Sequence, residues 1–600
     1  MKTKSTAIWF VLAVLLFAFI WFWQKHWQPA APSVERLLPG LRSADVTDIE
    51  VIPAGTLAID ADSTNGVWQL EKPFAYPAQA AAIQNLLDVL EKLTPATRLS
   101  AAEIGSHKDA DAEYGFDNPQ FSIMISTGSQ QWQLRVGHAT TPGDQVFVRV
   151  VGVNGAFVTD ANWLQFLPRN ATAWRDTSLV DSTTSFDWIV VTNGARVIEL
   201  RRDATNQFWR MTQPLSARAD NERIIAALQQ LRTAQIARFV SDDPKADLTT
   251  YGLQPASLDL WLGSGTNFTD ALHLGKTTPE NSDLVFARRD GWNSVVALTN
   301  DVFTPWRSTV NDFRDPRLME LTAPVAEIDV RGVSNFTLRQ RGSNDWTLVG
   351  EKFSADADNV RNFVRTLGGL RVAEFVKDNN TATDLQRYGL AAPAGTNQIT
   401  LLSAAGDTNS VITQVIFGSV ETNKIYVKRA DENFVYALSR EDLGRLQPFT
   451  YSWFFRDRNI WNFSETNVVQ MTLRQNGKTR TLLRNGVNLW SIAAGSQGII
   501  TPAAVEETVH RLGQLTALDW VGIIGVNLPP AEGGFNPNNL QVEIELKTGE
   551  KFSIAFGREL GAQNTALASV TLDGQRWAFI FPPVVYQFVS TYLTIPPDAP

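Results

Sequence analysis

At 600 residues the chain is too long for one core, and 44% hydrophobic against 19% charged residues is the balance of a folded protein. A net charge of −9 without a basic stripe argues against nucleic acid as a partner. The absence of cysteine excludes disulfides, thiolate catalysis and Cys-ligated metal centres, but does not identify the compartment.

The first element is N-terminal. Lys2 and Lys4 precede an unbroken apolar run, Ala7 to Trp23. As a helix this run spans roughly 25 Å, close to the hydrocarbon thickness of a bilayer. Trp21, Trp23 and Trp27 cluster at its far end, where indoles favour the membrane interface. Positive charge before the run outweighs Lys25 after it. The expected topology is a single membrane pass, N-terminus cytoplasmic and the bulk of the chain extracytoplasmic. A cleaved signal peptide is the rival reading. The run exceeds the apolar core of such peptides, and Gln28 and Pro29 before Ala30 spoil a small-x-small cleavage site. Residues 1–27 are therefore read as an uncleaved anchor and 28–42 as a Pro-rich spacer.

Beyond residue 42 the chain repeats itself. A Trp recurs after a polar hairpin at Trp68, Trp209, Trp346 and Trp490. A Gly recurs in the turns "YGFDNP", "YGLQPA", "YGLAAP" and "GGFNPN", at Gly115, Gly252, Gly389 and Gly534. A second Gly ends a strand at Gly137, Gly275, Gly418 and Gly557. The three markers keep one order and a period of about 140 residues, far above that of solenoid repeats. Each copy is large enough for its own core, so the expectation is four tandem domains, beads on a string: 43–180, 181–320, 321–463 and a divergent 464–600.

Each copy opens with a strand ("TDIEVI", "FDWIVV", "AEIDVR", "VVQMTL") and the Trp hairpin. An amphipathic helix comes next, with apolar positions Ile83, Leu87, Leu90; Ile224, Leu228, Leu231; Val360, Val364, Leu367; and Val505, Val509, Leu512. Asp220 and Asp356 are placed as N-caps, and Thr501-Pro502 reads as a cap followed by Pro at the first helical position. Alternating strands complete an α+β unit, one main helix on a largely antiparallel sheet. The Tyr-Gly turn reads as punctuation: a short helical turn stopped by a left-handed Gly, with Pro preventing its resumption. "WRD" (Arg175, Asp176), "FRD" (Arg314, Asp315) and "FRD" (Arg456, Asp457) occur only at the three junctions. They are expected to be linker devices, an aromatic plug with a charged pair.

No catalytic, cofactor-binding or metal-ligating set emerges. His26, His107, His138, His273 and His510 share no zinc-type spacing. "LGKTT" at Gly275 has Asp270 where a phosphate loop needs its first Gly. "DADSTNG", Asp60 to Gly66, imitates a calcium loop with its Gly displaced by one. Most Trp read as core or sheet-packing residues, with an exposed Trp row for sugar chains as the minority reading. A carboxylate pair of glycosidase type is left open, with no pair favoured. The discriminating feature is a cleft: convergent carboxylates lining one in a single copy would favour an enzyme; four equivalent surfaces, or none, a scaffold.

The order Trp-x-Leu/Met, apolar helix, Tyr-Gly-Leu/Phe-x-x-Pro, strand-Gly and a "VFVRV" or "IYVKR" strand behind one anchor resembles the bacterial family known as domain of unknown function DUF4340. The resemblance covers nearly the whole chain past the anchor and implies fold and topology. It also implies a membrane-anchored extracytoplasmic protein, of a kind encoded beside ABC-type transporters of the gliding-motility class. It supplies no catalytic residues. The expected function is a non-enzymatic scaffold or binding subunit, an accessory to such a transporter or to an envelope protein. The alternative is a carbohydrate-binding or polymer-modifying protein using exposed Trp and Asp/Glu.

Overall fold

The computed structural model describes residues 3–26, 35–181, 183–351, 353–391, 397–405, 408–496 and 498–595. Helix α1 runs Thr3–His26, and its side chains from Phe10 to Phe22 are exposed. Among the described residues no helix is long and apolar enough to cross a membrane. Trp21 is exposed; the side chain of Trp23 and all of Trp27 lie outside the described residues. The chain divides into two units, one ending at Arg314 and the other beginning at Asp315.

In the first unit, β1 (Val46–Pro53) alternates buried Ile49 and Val51 with open Asp48 and Glu50, which sets one face inward. It pairs antiparallel with β2 (Ile59–Thr64), which leads to β3 (Val67–Lys72) and the short β4 (Tyr76–Pro77). Helix α2 (Ala80–Lys92) buries Ile83, Leu86, Leu87 and Leu90 against that inward face. It carries the chain from the β4 edge to β5 (Thr97–Leu99) at the opposite edge. The strands β6 (Phe121–Thr127), β7 (Gln131–Ala139), β8 (Gln145–Val150) and β9 (Ala156–Asp160) fill the space between. The nine-stranded order is β4-β3-β2-β1-β6-β7-β8-β9-β5.

The second domain repeats this order in a nine-stranded sheet of its own, around Ile189 paired with Leu200 and Leu262. In the second unit, the third domain repeats it around Ile328, and the fourth in eight strands around Met471. The main helices there are Asn221–Thr233, Ala357–Gly369 and Pro502–Gly513. The expected α+β architecture of antiparallel sheets with one main helix each is the one observed. Asp220 accepts from Arg223 N at 3.1 Å, and Asp356 from Asp358 N and Asn359 N, as N-caps do.

Four expectations need correction. Thr501 makes no side-chain cap bond, so Pro502 alone starts that helix. In the third helix Phe363, one position earlier than Val364, fills the core, packing on Phe449 and Phe455; this helical position faces inward in the other domains too, as Leu86, Ala227 and Thr508. Residues 28–42 are not a free spacer over their second half: Leu37, Leu38 and Leu41 are buried in the first core, and Leu37 N donates to Leu93 O. The domains within a unit are not beads on a string. Trp174 O accepts from Gln79 N and Asp176 N donates to Pro77 O, while Thr177 O accepts from Ile236 N. The linker is thus a strap stitched to both domains. Phe455 O, Asp457 N and Arg458 O repeat the pattern with Asp356, Ser354 and Ala517.

The Tyr-Gly turn acquires a purpose beyond punctuation. Gly115, Gly252, Gly389 and Gly534 adopt φ of 78°, 68°, 68° and 66°. The carbonyl just before each, on Tyr114, Tyr251, Tyr388 and Gly533, lies directly over Gly137, Gly275, Gly418 and Gly557. A Cβ at any of those four strand glycines would sit far inside contact distance of that oxygen. His138 N donates to Tyr114 O at 2.8 Å, and Ser419 N to Tyr388 O at 2.9 Å. Each of the four strands is bulged at this glycine. The Tyr rings then pack on the next strand, Tyr114 on Phe147 at 4.7 Å and Tyr388 on Tyr426 at 4.6 Å. In the fourth copy the Phe535 ring occupies the space over Gly533 that a side chain there would need.

Gly137→Ala is therefore expected to destabilise its unit by on the order of 3 kcal/mol or more, a backbone clash with no flexible partner to yield. Tyr114→Phe, which keeps the ring, should stay within about 0.5 kcal/mol. Urea denaturation of the two variants checks this; equal losses would contradict it.

Candidate functional site

Trp68, Trp209, Trp346 and Trp490 are all buried on the strand that follows the hairpin. Trp490 Nε1 donates to Glu506 at 2.6 Å, and Glu506 also takes a bidentate pair from Arg484. These tryptophans belong to cores, not to a ligand surface.

The junction arginines do something more specific. Arg175 is 1% exposed. Its guanidinium lies over Phe239 at 3.6 Å, Phe74 at 4.3 Å and Tyr76 at 4.4 Å. Nη1 and Nη2 donate to the two oxygens of Asp242 at 3.1 and 2.6 Å, and Nη2 also to Ser294 Oγ at 2.7 Å. Phe74 and Tyr76 come from the first domain, the remainder from the second. Burial pushes the Tyr76 hydroxyl up to about 12, against the opposing pull of Arg175. In the second unit Arg456 repeats the cage with Phe353 at 4.3 Å, Trp577 at 4.6 Å and Trp520 at 5.6 Å. Its acid is Asp573, at 2.9 Å on a hairpin of the fourth domain.

At the first and third junctions the arginine takes its acid from far along the chain. Asp176, Asp315 and Asp457 instead accept from the backbone N–H two residues on, Ser178, Arg317 and Asn459, at 2.9, 3.0 and 2.8 Å. Short Asp side chains prefer such local turns. Asp315 also pairs with Arg317. Arg314 is 2% exposed and donates to Asn311 Oδ1.

The outward sheet faces are where the copies differ. In the first domain Asp48, Glu50, Asp60 and Asp62 converge, with Lys72 Nζ at 2.9 Å from Glu50 and 3.1 Å from Asp60. Partial burial, and next the charge of Asp60, raise Asp48 to about 6. This cluster lies on an open sheet face with a lysine in its middle. The calcium-like stretch Asp60 to Gly66 is a β-hairpin turning at Asn65 and Gly66, both with positive φ. Among the described residues no group of three or more His, Asp or Glu is arranged to hold a metal ion.

The second domain carries aromatic rings at these positions. Trp188 stacks on Phe268 at 3.9 Å, and Trp261 meets Phe268 at 5.6 Å. Arg201 caps Trp188 at 3.7 Å, and Glu199 accepts from both Trp188 Nε1 and Arg201 Nε. His273 stands edge-on to Trp261 and bonds Asp259 at 2.6 Å. The result is a half-exposed aromatic platform edged by two carboxylates and a guanidinium, suited to stacking on a ligand's apolar face while bonding its hydroxyls. The other domains carry Asp48, Glu327 and Gln470 at the register position of Trp188. The signal was in the sequence: Trp188 and Trp261 alternate out of phase with core Ile189 and Leu262.

A family model described as domain of unknown function (DUF4340) matches residues 68–207, 209–353 and 346–537. Each matched segment begins on one of the repeated tryptophans. No curated protein matches the chain.

Arg175→Ala should remove the strap's buried cation and strand Asp242, at a cost of about 3 kcal/mol. Limited proteolysis should then open the chain near residues 177–181, and Arg175→Lys should not restore protection, since Lys lacks the planar fork. Asp48 titrates higher folded than unfolded, so the folded protein gains stability as pH falls from about 6 towards 3.8, keeps the full gain below that, and loses it as pH rises through about 6. Asp48→Asn should raise the melting temperature at pH 7.5 and give a smaller rise at pH 4.5; an equal rise at both would contradict the assignment.

Proposed function

The chain belongs to the family of domain of unknown function DUF4340, and on that premise we propose that it is a non-enzymatic binding scaffold, anchored in a bacterial inner membrane with its four domains outside the cytoplasm. One observation carries the reading. The residues that the copies share, the Trp, the paired glycines and the junction Arg and Asp, are taken up by the fold and its straps, while the outward faces differ. Shared residues of this kind build a support, and tandem domains give it several contact surfaces that add avidity.

On this reading the whole apolar run from Ala7 to Trp23 supplies the anchor, and the structure describes its side chains from Phe10 to Phe22. Its exposed apolar row from Phe10 to Phe22 is poorly suited to water, and the flanking lysines favour a cytoplasmic N-terminus. The partner class is an ABC-type transporter of the gliding-motility kind or another envelope protein, for which the chain is an accessory subunit. A second reading is favoured by the Trp188–Trp261–Phe268 platform: a carbohydrate-binding protein that holds an envelope polymer.

The scaffold reading is tested by purification from solubilised membranes at native expression, with mass spectrometry of co-purifying chains. Transporter or other envelope subunits should be recovered with the full chain and lost when only residues 1–34 remain; recovery of the protein alone overturns it. A reporter active only outside the cytoplasm, fused after Pro600, should be active. For the second reading, Trp261→Ala should weaken co-sedimentation with envelope polysaccharide at least fivefold, and an unchanged pellet rejects it.

A further inference from the structure

A cavity of about 260 Å³ opens at one end of the third sheet. Its walls are Val330, Ile399 and Ile425 from the sheet, Phe363 from the main helix, and Leu446 and Phe449 from the helical segment after the last strand. Arg331, Asn397 and Thr450 are the polar residues of its lining. Exposed Val333 and Val420 line the rim.

The sister domains explain why the space exists. Phe121, Leu258 and Leu540 stand at one register position, two before the inward residue Ile123, Leu260 or Val542, and all three are buried. The third domain has Asn397 there, two before Ile399, exposed and left-handed at φ 48°. In the fourth domain the chain end covers this region too, as Ile595 N donates to Gln475 and Ile595 is buried. Among the described residues the fold thus closes the space with its own side chains in the other three domains and leaves it open in the third. An unfilled apolar space of this size destabilises a core, and a dry cavity of about 150 Å³ already accepts a benzene-sized guest.

We propose that the third domain binds one medium-length acyl chain in this slot, between sheet and helices, with its carboxylate or carboxyl-derived head at the edge. The exposed Asn397 offers its side-chain amide N–H groups to that head, while Arg331 pairs with Asp329 at 2.7 Å on the outward face of the sheet. This goes beyond the scaffold reading and does not depend on it.

The test uses the full chain held in a fluorinated surfactant, whose chains do not mix with alkyl chains. A decanoic acid bearing a terminal diazirine is photolysed with the protein and the labelled peptides are sequenced. Label is expected within 330–333 and 443–450. Competition should strengthen from hexanoate to octanoate to decanoate, by up to roughly fourfold per methylene. Competition by a decanoyl lysophospholipid as well as decanoate identifies a lipid-borne chain; competition by decanoate alone identifies the free acid. Leu443→Trp, which fills the slot from its yielding helical wall, should cut labelling at least tenfold with the melting temperature kept within a few degrees. Asn397→Gly, which keeps the left-handed backbone and removes the amide, should weaken decanoate competition at least fivefold. Label elsewhere, no dependence on chain length, or labelling indifferent to both substitutions overturns the proposal.

Discussion

In each of the four domains the carbonyl that ends a short helical turn rests on a strand glycine. The glycine sits at a bulge in a long strand. Neither half of the contact works alone. The turn needs its own left-handed glycine to aim the carbonyl at the strand, and the strand needs a position without Cβ to receive it. Once made, the contact places the bulge, and the bulge sets the register of the following strands. An aromatic ring then locks the turn from outside, on Phe147 in the first domain and Phe286 in the second. In the fourth, Phe535 reaches back over Gly533 to do the same. The tyrosine is one of two ways to hold the turn; the glycines have no substitute.

The junctions obey a different logic. A buried guanidinium is costly unless its charge is met and its flat faces are covered. Arg175 and Arg456 satisfy both needs with rings from two domains and a carboxylate from the second of them. The carboxylate is not in the same place. Asp242 follows the strand after the main helix, whereas Asp573 lies on a distant hairpin. Only the end point matters electrostatically, so different loops can supply the charge. The neighbouring Asp keeps one task throughout, turning the strap through a bond to the backbone two residues on.

Local spacing decides which of these features are legible in the sequence. The helix faces, the inward strand residues and the left-handed turn glycines were legible because each depends on it. Ile83, Leu87 and Leu90 describe a helical face wherever the chain goes. The partner of Arg175 was not legible, because Asp242 lies 67 residues away and nothing local marks it. The adjacent Asp176 was the tempting partner and the wrong one. Leu37, Leu38 and Leu41 looked like spacer because prolines precede them, yet their spacing is that of a buried turn. Of the candidate surfaces, the aromatic platform was half visible: the phase of Trp188 and Trp261 was readable, the stacking on Phe268 was not. The slot beside Asn397 needed the register of all four sheets before a missing side chain could be noticed.

The straps also determine how these domain pairs meet a pulling force. A free linker would extend first and pass little load until taut. Here the strap's amides are bonded on one side to residues 77–79 and on the other to 234–236, with Arg175 clamped between. Tension along the chain would load these bonds together with the caged guanidinium before the linker could lengthen. Within each pair, slack is available only after the clamp has ruptured, which makes the pair a stiff element rather than a spring.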